Sequence, residues 1–151
     1  MKKISLVVLV LLLCVFNPSC RSSKAVADKI TVSSRQIPPE MATNDFTIIG
    51  MLHKRHSYDK YLKKGFETYP GKYVLSIDFE VNKNYPDTSK YRYYLDYENE
   101  FSSSGGNQFT YYRYFIVDRV TGNKFRRKTS STNFANEIKM YLAAIEKVRK
   151  K

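Results

Sequence analysis

Phe134, Ile138, Tyr141, Leu142, Ile145 and Val148 recur at helical spacing near the end of the chain, and this unbroken stripe narrows the choice of fold more than any other feature. It predicts a helix over residues 132–149 with one apolar face. Glu137 stands in the first turn, where a carboxylate meets the positive end of the helix dipole. Such a face has to be covered, and the preceding residues offer a sheet to cover it. Tyr73, Leu75, Ile77, Phe79 and Val81 alternate with Val74, Ser76, Asp78 and Glu80, the pattern of a half-buried strand over 73–81. Residues 82–90, which contain Pro86-Asp87, read as a loop, and 91–99 as the next strand. A flexible hairpin loop is expected at 102–107 (SSSGGN). Strands over 109–120 and 123–128 then flank Thr121-Gly122-Asn123, a tight-turn signal.

A second helix is expected over 57–69, from Tyr58, Tyr61, Leu62, Phe66 and Tyr69, with Ser57 as its N-cap. The β-rich stretch 46–52 (FTIIGML) does not share the phase of that stripe, which favours a strand followed by a helix over one long helix. The expected architecture is α+β: an antiparallel sheet of four to five strands packed against an internal helix (57–69) and a C-terminal helix (132–149). With the 81–91 connection centred near Pro86, Glu80 falls opposite Arg92 and Asp78 opposite Tyr94.

The first residues concern destination, not fold. Lys2 and Lys3 precede an apolar run over 4–16. That run is too short for a membrane-spanning helix, which takes roughly 20 residues, and matches the charged and apolar regions of a secretory signal. Ser19-Cys20 follows, and then the polar Arg21, Ser22 and Ser23. A small residue before a cysteine at this place resembles the lipobox of bacterial lipoproteins, with Asn17 and Pro18 departing from the usual pattern. The resemblance implies that residues 1–19 leave as a signal peptide and that Cys20 becomes the first mature residue, its thiol carrying a diacylglycerol. It also implies a domain held outside the cytoplasm on a bacterial membrane, the outer membrane being favoured. Ordinary cleavage at Ala25-Val26-Ala27 is the competing reading. Residues 20–43, with Pro38-Pro39, are expected as a lipid-anchored tether and 44–151 as a single domain. Cys14 and Cys20 are the two cysteines, so a domain cut before Cys20 and acylated there has no thiol left for a disulfide, a nucleophile or a metal.

Charge bears on partners. The 151 residues carry 26 Lys+Arg against 14 Asp+Glu, a net charge of +12. Basic residues cluster at Lys54-Arg55, Lys63-Lys64, Arg126-Arg127-Lys128 and 147–151. An exported chain rarely meets nucleic acid, so the expected partners are anionic lipid head groups, at about 1 kcal/mol per Lys or Arg near the surface, or another envelope protein. His53 and His56 have the spacing of a metal pair, but Lys54 and Arg55 between them make a poor cation site, and no metal is expected. Asp78, Glu80, Asp96 and Glu98 read as ion-paired cover of an exposed sheet face, not as the paired carboxylates of a glycosidase. No catalytic residue and no cofactor are expected. The candidate binding residues are Tyr94, Tyr112 and Tyr114, as an aromatic platform on the sheet, and Arg126, Arg127 and Lys128. The expectation is a non-catalytic, lipid-anchored envelope module. The alternatives are a carbohydrate or ligand binder using the Tyr platform, and a small hydrolase whose carboxylates converge only in the fold.

Overall fold

Strand β1 (Thr47–Leu52, TIIGML) is buried along nearly its whole length, and the rest of the molecule is arranged about it. The structure, a computed structural model, describes residues 26–43 and 45–150. The expected signal peptide, Cys20 and the start of the tether lie outside the described residues. After β1 come helix α1 (His56–Glu67), β2 (Lys72–Ile77), the short helix α2 (Asp78–Asn84), β3 (Tyr93–Ser104), β4 (Asn107–Asp118), β5 (Lys124–Arg126) and helix α3 (Phe134–Arg149). The strands form one sheet in the order β2-β1-β3-β4-β5. The α+β class and the five strands are as expected.

Strand direction is not antiparallel throughout. β1 pairs parallel with both β2 and β3, whereas β3–β4 and β4–β5 are antiparallel. The reason lies in β1 itself. A continuous apolar run has no polar face to show to water, so it takes a central place covered on both sides, as parallel strands usually are. Ile48 joins the core beneath α1 and α3, with Tyr58, Leu62, Phe66, Leu95, Ile116, Ile138 and Tyr141. Ile49 and Met51 point the other way, into a smaller cluster with Val81 of α2, Val74 and Tyr94. The molecule therefore has three layers, with the long helices on one sheet face and α2 on the other.

The strand expected over 73–81 ends at Ile77, and Asp78 begins α2. Asp78 and Glu80 lie in the first turn of that helix, where the dipole favours them. The last steps of the alternation thus cross a strand–helix junction. In the helix Phe79 and Val81 no longer share a face, so Phe79 is 72% exposed while Val81 is buried. The loop expected over 82–90 accordingly begins after Asn84. The expected pairing of Glu80 with Arg92 fails for a topological reason. β2 lies beyond β1 and does not touch β3. Arg92 instead grips the buried Asp118 with two bonds, Nε to Oδ1 at 2.9 Å and Nη2 to Oδ2 at 2.7 Å.

The described part of the expected tether, 26–43, is packed onto the domain. Ile37 and Met41 are fully buried and Ile30 nearly so. The Tyr141 hydroxyl donates to Gln36 O at 2.6 Å, and the Lys128 N–H donates to Gln36 Oε1 at 2.9 Å. Three apolar residues spaced irregularly among turns leave no periodic trace, which is why pattern reading passes over them.

Local chemistry explains the junctions. Asn133 caps α3 by accepting from the Asn136 N–H at 3.2 Å. Ser57 lies inside α1, whose N-cap Arg55 makes no side-chain cap bond. Between β3 and β4 the chain turns through Gly105 (φ 58°) and Gly106 (φ 80°), a two-residue turn that needs positive φ at both positions. It replaces the expected six-residue flexible loop. Gly50 answers a different need: a Cβ there would sit 2.5 Å from Phe66 Cε2 and 2.7 Å from Leu75 Cδ2. Gly50→Ala is expected to destabilise the fold by about 1–3 kcal/mol through overpacking, read as a lowered urea midpoint.

Candidate functional site

The register of β3 against β4 decides the fate of the aromatic platform. Tyr97 lies opposite Tyr114 and Asn99 opposite Tyr112, while Tyr94 lies opposite Val117. Because side chains alternate along a strand, Tyr112 and Tyr114 face the helices and Tyr94 faces the other side. Tyr114 is fully buried, and its hydroxyl donates to Phe134 O at 3.3 Å. Burial raises its pKa far above that of a free tyrosine. The Tyr112 ring packs edge-on against Phe134 at 4.7 Å, whereas Tyr94 packs against the α2-side cluster. The three rings do not form one surface.

The basic trio divides in the same way. Arg126 is half-exposed, with Nε 3.4 Å from Glu98 Oε1, and Lys128 is exposed. Arg127 points inward. It is 3% exposed, forms an ion pair with the Glu137 carboxylate of α3, and donates to Thr129 Oγ1 at 2.8 Å. Burial raises the pKa of Glu137, against the opposing pull of Arg127. Arg127 is a structural residue and leaves the candidate surface.

Glu98, Glu100 and Asp96 go to separate partners. Glu98 accepts from Lys124 Nζ at 2.6 Å, and Glu100 lies 2.7 Å from Arg113 Nη2. Asp78 and Glu80 belong to α2. Asp96 binds His53 Nε2 at 2.6 Å and accepts from the Tyr97 N–H at 2.7 Å. Burial pushes its carboxyl above the usual range even though the His53 bond opposes this. This contact pins the β1–α1 loop to β3, and pattern reading missed it because it joins residues far apart in sequence. Among the described residues no group of three His, Cys, Asp or Glu side chains is placed to hold a metal.

What the fold does gather is lysine. Tyr58, Leu62, Gly65 and Phe66 of α1 face inward, and Gly65 allows close approach to α3, since a Cβ there would collide with Ile138 Cγ2. With those positions buried, Lys60, Lys63, Lys64 and Glu67 point outward. On α3 the outward positions are Lys139, Ala143, Lys147 and Lys150. Lys147 pairs with Asp28 at 2.6 Å and Lys150 with Glu146 at 3.2 Å. Lys60, Lys63, Lys64 and Lys139 make no ion pair among the described residues. An open groove of about 590 Å³ runs beside α1, lined by Lys54, His56, Asp59, Lys60, Lys63, Lys64 and Glu67.

The opposite sheet face differs in kind. There Lys124 and Arg126 meet Glu98 and Arg113 meets Glu100, while Lys83 of α2 stands beside the acidic Asp78 and Glu80 of the same helix. Surplus positive charge therefore collects on the helix layer. Lys60 and Lys139 were not singled out from the sequence. The three- and four-residue steps from Lys60 to Lys63 and Lys64, and the four-residue steps from Lys139 through Ala143 to Lys147, were the signal that would have placed them on common faces.

No family model matches the sequence, no curated protein matches it, and no solved structure matches the fold. Among the described residues no helix is long and apolar enough to cross a membrane.

Proposed function

We propose that the chain is an exported, non-catalytic envelope protein, anchored by lipid on Cys20, that lays its lysine-bearing helix layer against anionic lipid head groups. The observation that carries this reading is the set Lys60, Lys63, Lys64 and Lys139, four cations on one layer without an ion pair among the described residues. On the other sheet face Lys124, Arg126 and Arg113 are paired, and Lys83 of α2 is not, among the described residues. The route of the chain supports it. Asp28 bonds Lys147 of α3, so the N-terminal segment reaches the domain on the helix layer. Asp28 is eight steps along the chain from Cys20, a reach of at most about 30 Å, so an anchor on Cys20 keeps that layer close to the bilayer. Each lysine near an anionic surface contributes about 1 kcal/mol, and an acyl anchor removes most of the cost of bringing the surface near. The carbohydrate reading loses its support because Tyr114 is buried and Tyr94 faces away. Against the hydrolase reading, Asp96 is engaged by His53 and Glu98 by Lys124 and Arg126, which leaves neither free as an acid or nucleophile.

Metabolic labelling with radioactive palmitate in a bacterial host tests the anchor. The full chain is expected to take up label and to fractionate with membranes, and Cys20→Ala is expected to lose both. Label retained by the alanine variant, or absent from the parent, would overturn the anchor.

A further inference from the structure

We infer that two copies of this chain pair edge to edge along β3, antiparallel, about a two-fold axis at Phe101. β1 covers β3 only from Tyr93 to Leu95, so from Asn99 to Ser104 the strand has β4 as its one described neighbour. The direction of the free backbone groups follows from the register. Tyr112 exchanges both backbone bonds with Ser131, at 2.9 and 3.0 Å, on the side of β4 away from β3. Its cross-strand partner Asn99 therefore turns its own N–H and C=O to the opposite edge of the ribbon, and Phe101 and Ser103 follow by alternation. Among the described residues nothing pairs with the ladder those three present.

Sheet edges are normally blunted by lysine, proline, a bulge or a covering segment. Among the described residues no lysine, proline or covering segment lies along 99–104 (NEFSSS), and its carboxylate Glu100 is already paired with Arg113. Phe101 is 78% exposed, the most exposed large apolar side chain among the described residues. A copy of the same edge fits it. Antiparallel pairing centred on Phe101 sets Asn99 against Ser103, Glu100 against Ser102 and Glu98 against Ser104. Every carboxylate then faces a serine hydroxyl, no like charges meet, and the two Phe101 rings become a cross-strand aromatic pair. The interface is self-complementary, as a two-fold dimer requires. It also lies on a ribbon whose charges are paired, where two mature chains, each of net charge +10 once Lys2 and Lys3 leave with residues 1–19, repel least.

Site-specific crosslinking in the full chain tests the pairing. Residues at the centre of such a hydrogen-bonded pair have Cα atoms about 5.5 Å apart, within disulfide range. Phe101→Cys, made in the envelope of a bacterial host, is expected to run as a covalent dimer on a non-reducing gel. Phe79→Cys, equally exposed but on α2, is expected to stay monomeric. Equal crosslinking at both positions, or none at Phe101→Cys, overturns the inference. Sedimentation of the unsubstituted chain in detergent gives a second reading that no cysteine perturbs. A dimer that is lost in Phe101→Lys, with circular dichroism unchanged, supports the ladder; a monomer at all concentrations, or a dimer indifferent to Phe101→Lys, refutes it.

Discussion

Replacing Lys60, Lys63 and Lys64 together by Gln is expected to weaken binding to phosphatidylglycerol vesicles by roughly 100-fold, at about 1 kcal/mol for each charge removed. The measurement is vesicle co-sedimentation of the soluble form that starts after Cys20, so that acylation does not mask the electrostatic part. All three side chains lie on the outer face of α1, exposed and without ion-pair partners among the described residues. Their loss is expected to change stability by no more than about 0.5 kcal/mol, because they pack against nothing. Two comparisons make the result specific. Neutralising Lys124 and Arg126, which already pair with Glu98, is expected to leave binding nearly unchanged. Raising the salt from low to physiological concentration is expected to weaken the parent far more than the triple variant. Equal binding by parent and triple variant would remove the lysine layer from the function.

Arg127→Met is expected to cost about 3–5 kcal/mol of folding stability, a large share of the roughly 5–15 kcal/mol that a domain of this size has. The reason is geometric. Arg127 is 3% exposed and its guanidinium neutralises Glu137, itself buried on the inner face of α3. Removing the cation leaves a carboxylate with neither water nor a counter-charge, which costs more than the pair contributes when intact. Arg126→Met and Lys128→Met change exposed neighbours and are expected to shift the urea midpoint very little. The double variant Arg127→Met/Glu137→Leu is expected to recover much of the loss, since it removes both charges at once. A midpoint for Arg127→Met no lower than for its neighbours would return Arg127 to the surface.

These two variants also mark how far pattern reading reaches. Along α3 the apolar stripe was legible, because a 3.6-residue repeat over sixteen residues admits one helical phase, although the helix also buries Glu137, Met140, Ala144 and Glu146 beside that stripe. The phase break before Tyr58 correctly separated β1 from α1. Short alternation was less secure: the step from Ile77 through Phe79 to Val81 looked like strand but crossed into α2. Irregular burial left no mark at all, so Ile37 and Met41 passed for tether. In Arg126-Arg127-Lys128, three adjacent cations looked alike, and only the direction of the end of β5 separated the buried one from its neighbours.

From the sequence by itself came the α+β class, both long helices, the hairpin strands, the charge surplus and the expectation of export with lipid on Cys20. The first four rest on local periodicity or on simple counting and the last on the resemblance to a lipobox, none of which needs knowledge of what lies across the sheet. Tertiary structure alone decided that β1 is central and parallel to two neighbours, that Tyr94 and Tyr114 face apart, and that His53 meets Asp96. It also decided which lysines stay unpaired. Each of these depends on strand order and register, quantities set by the packing of distant apolar faces and not by any one segment.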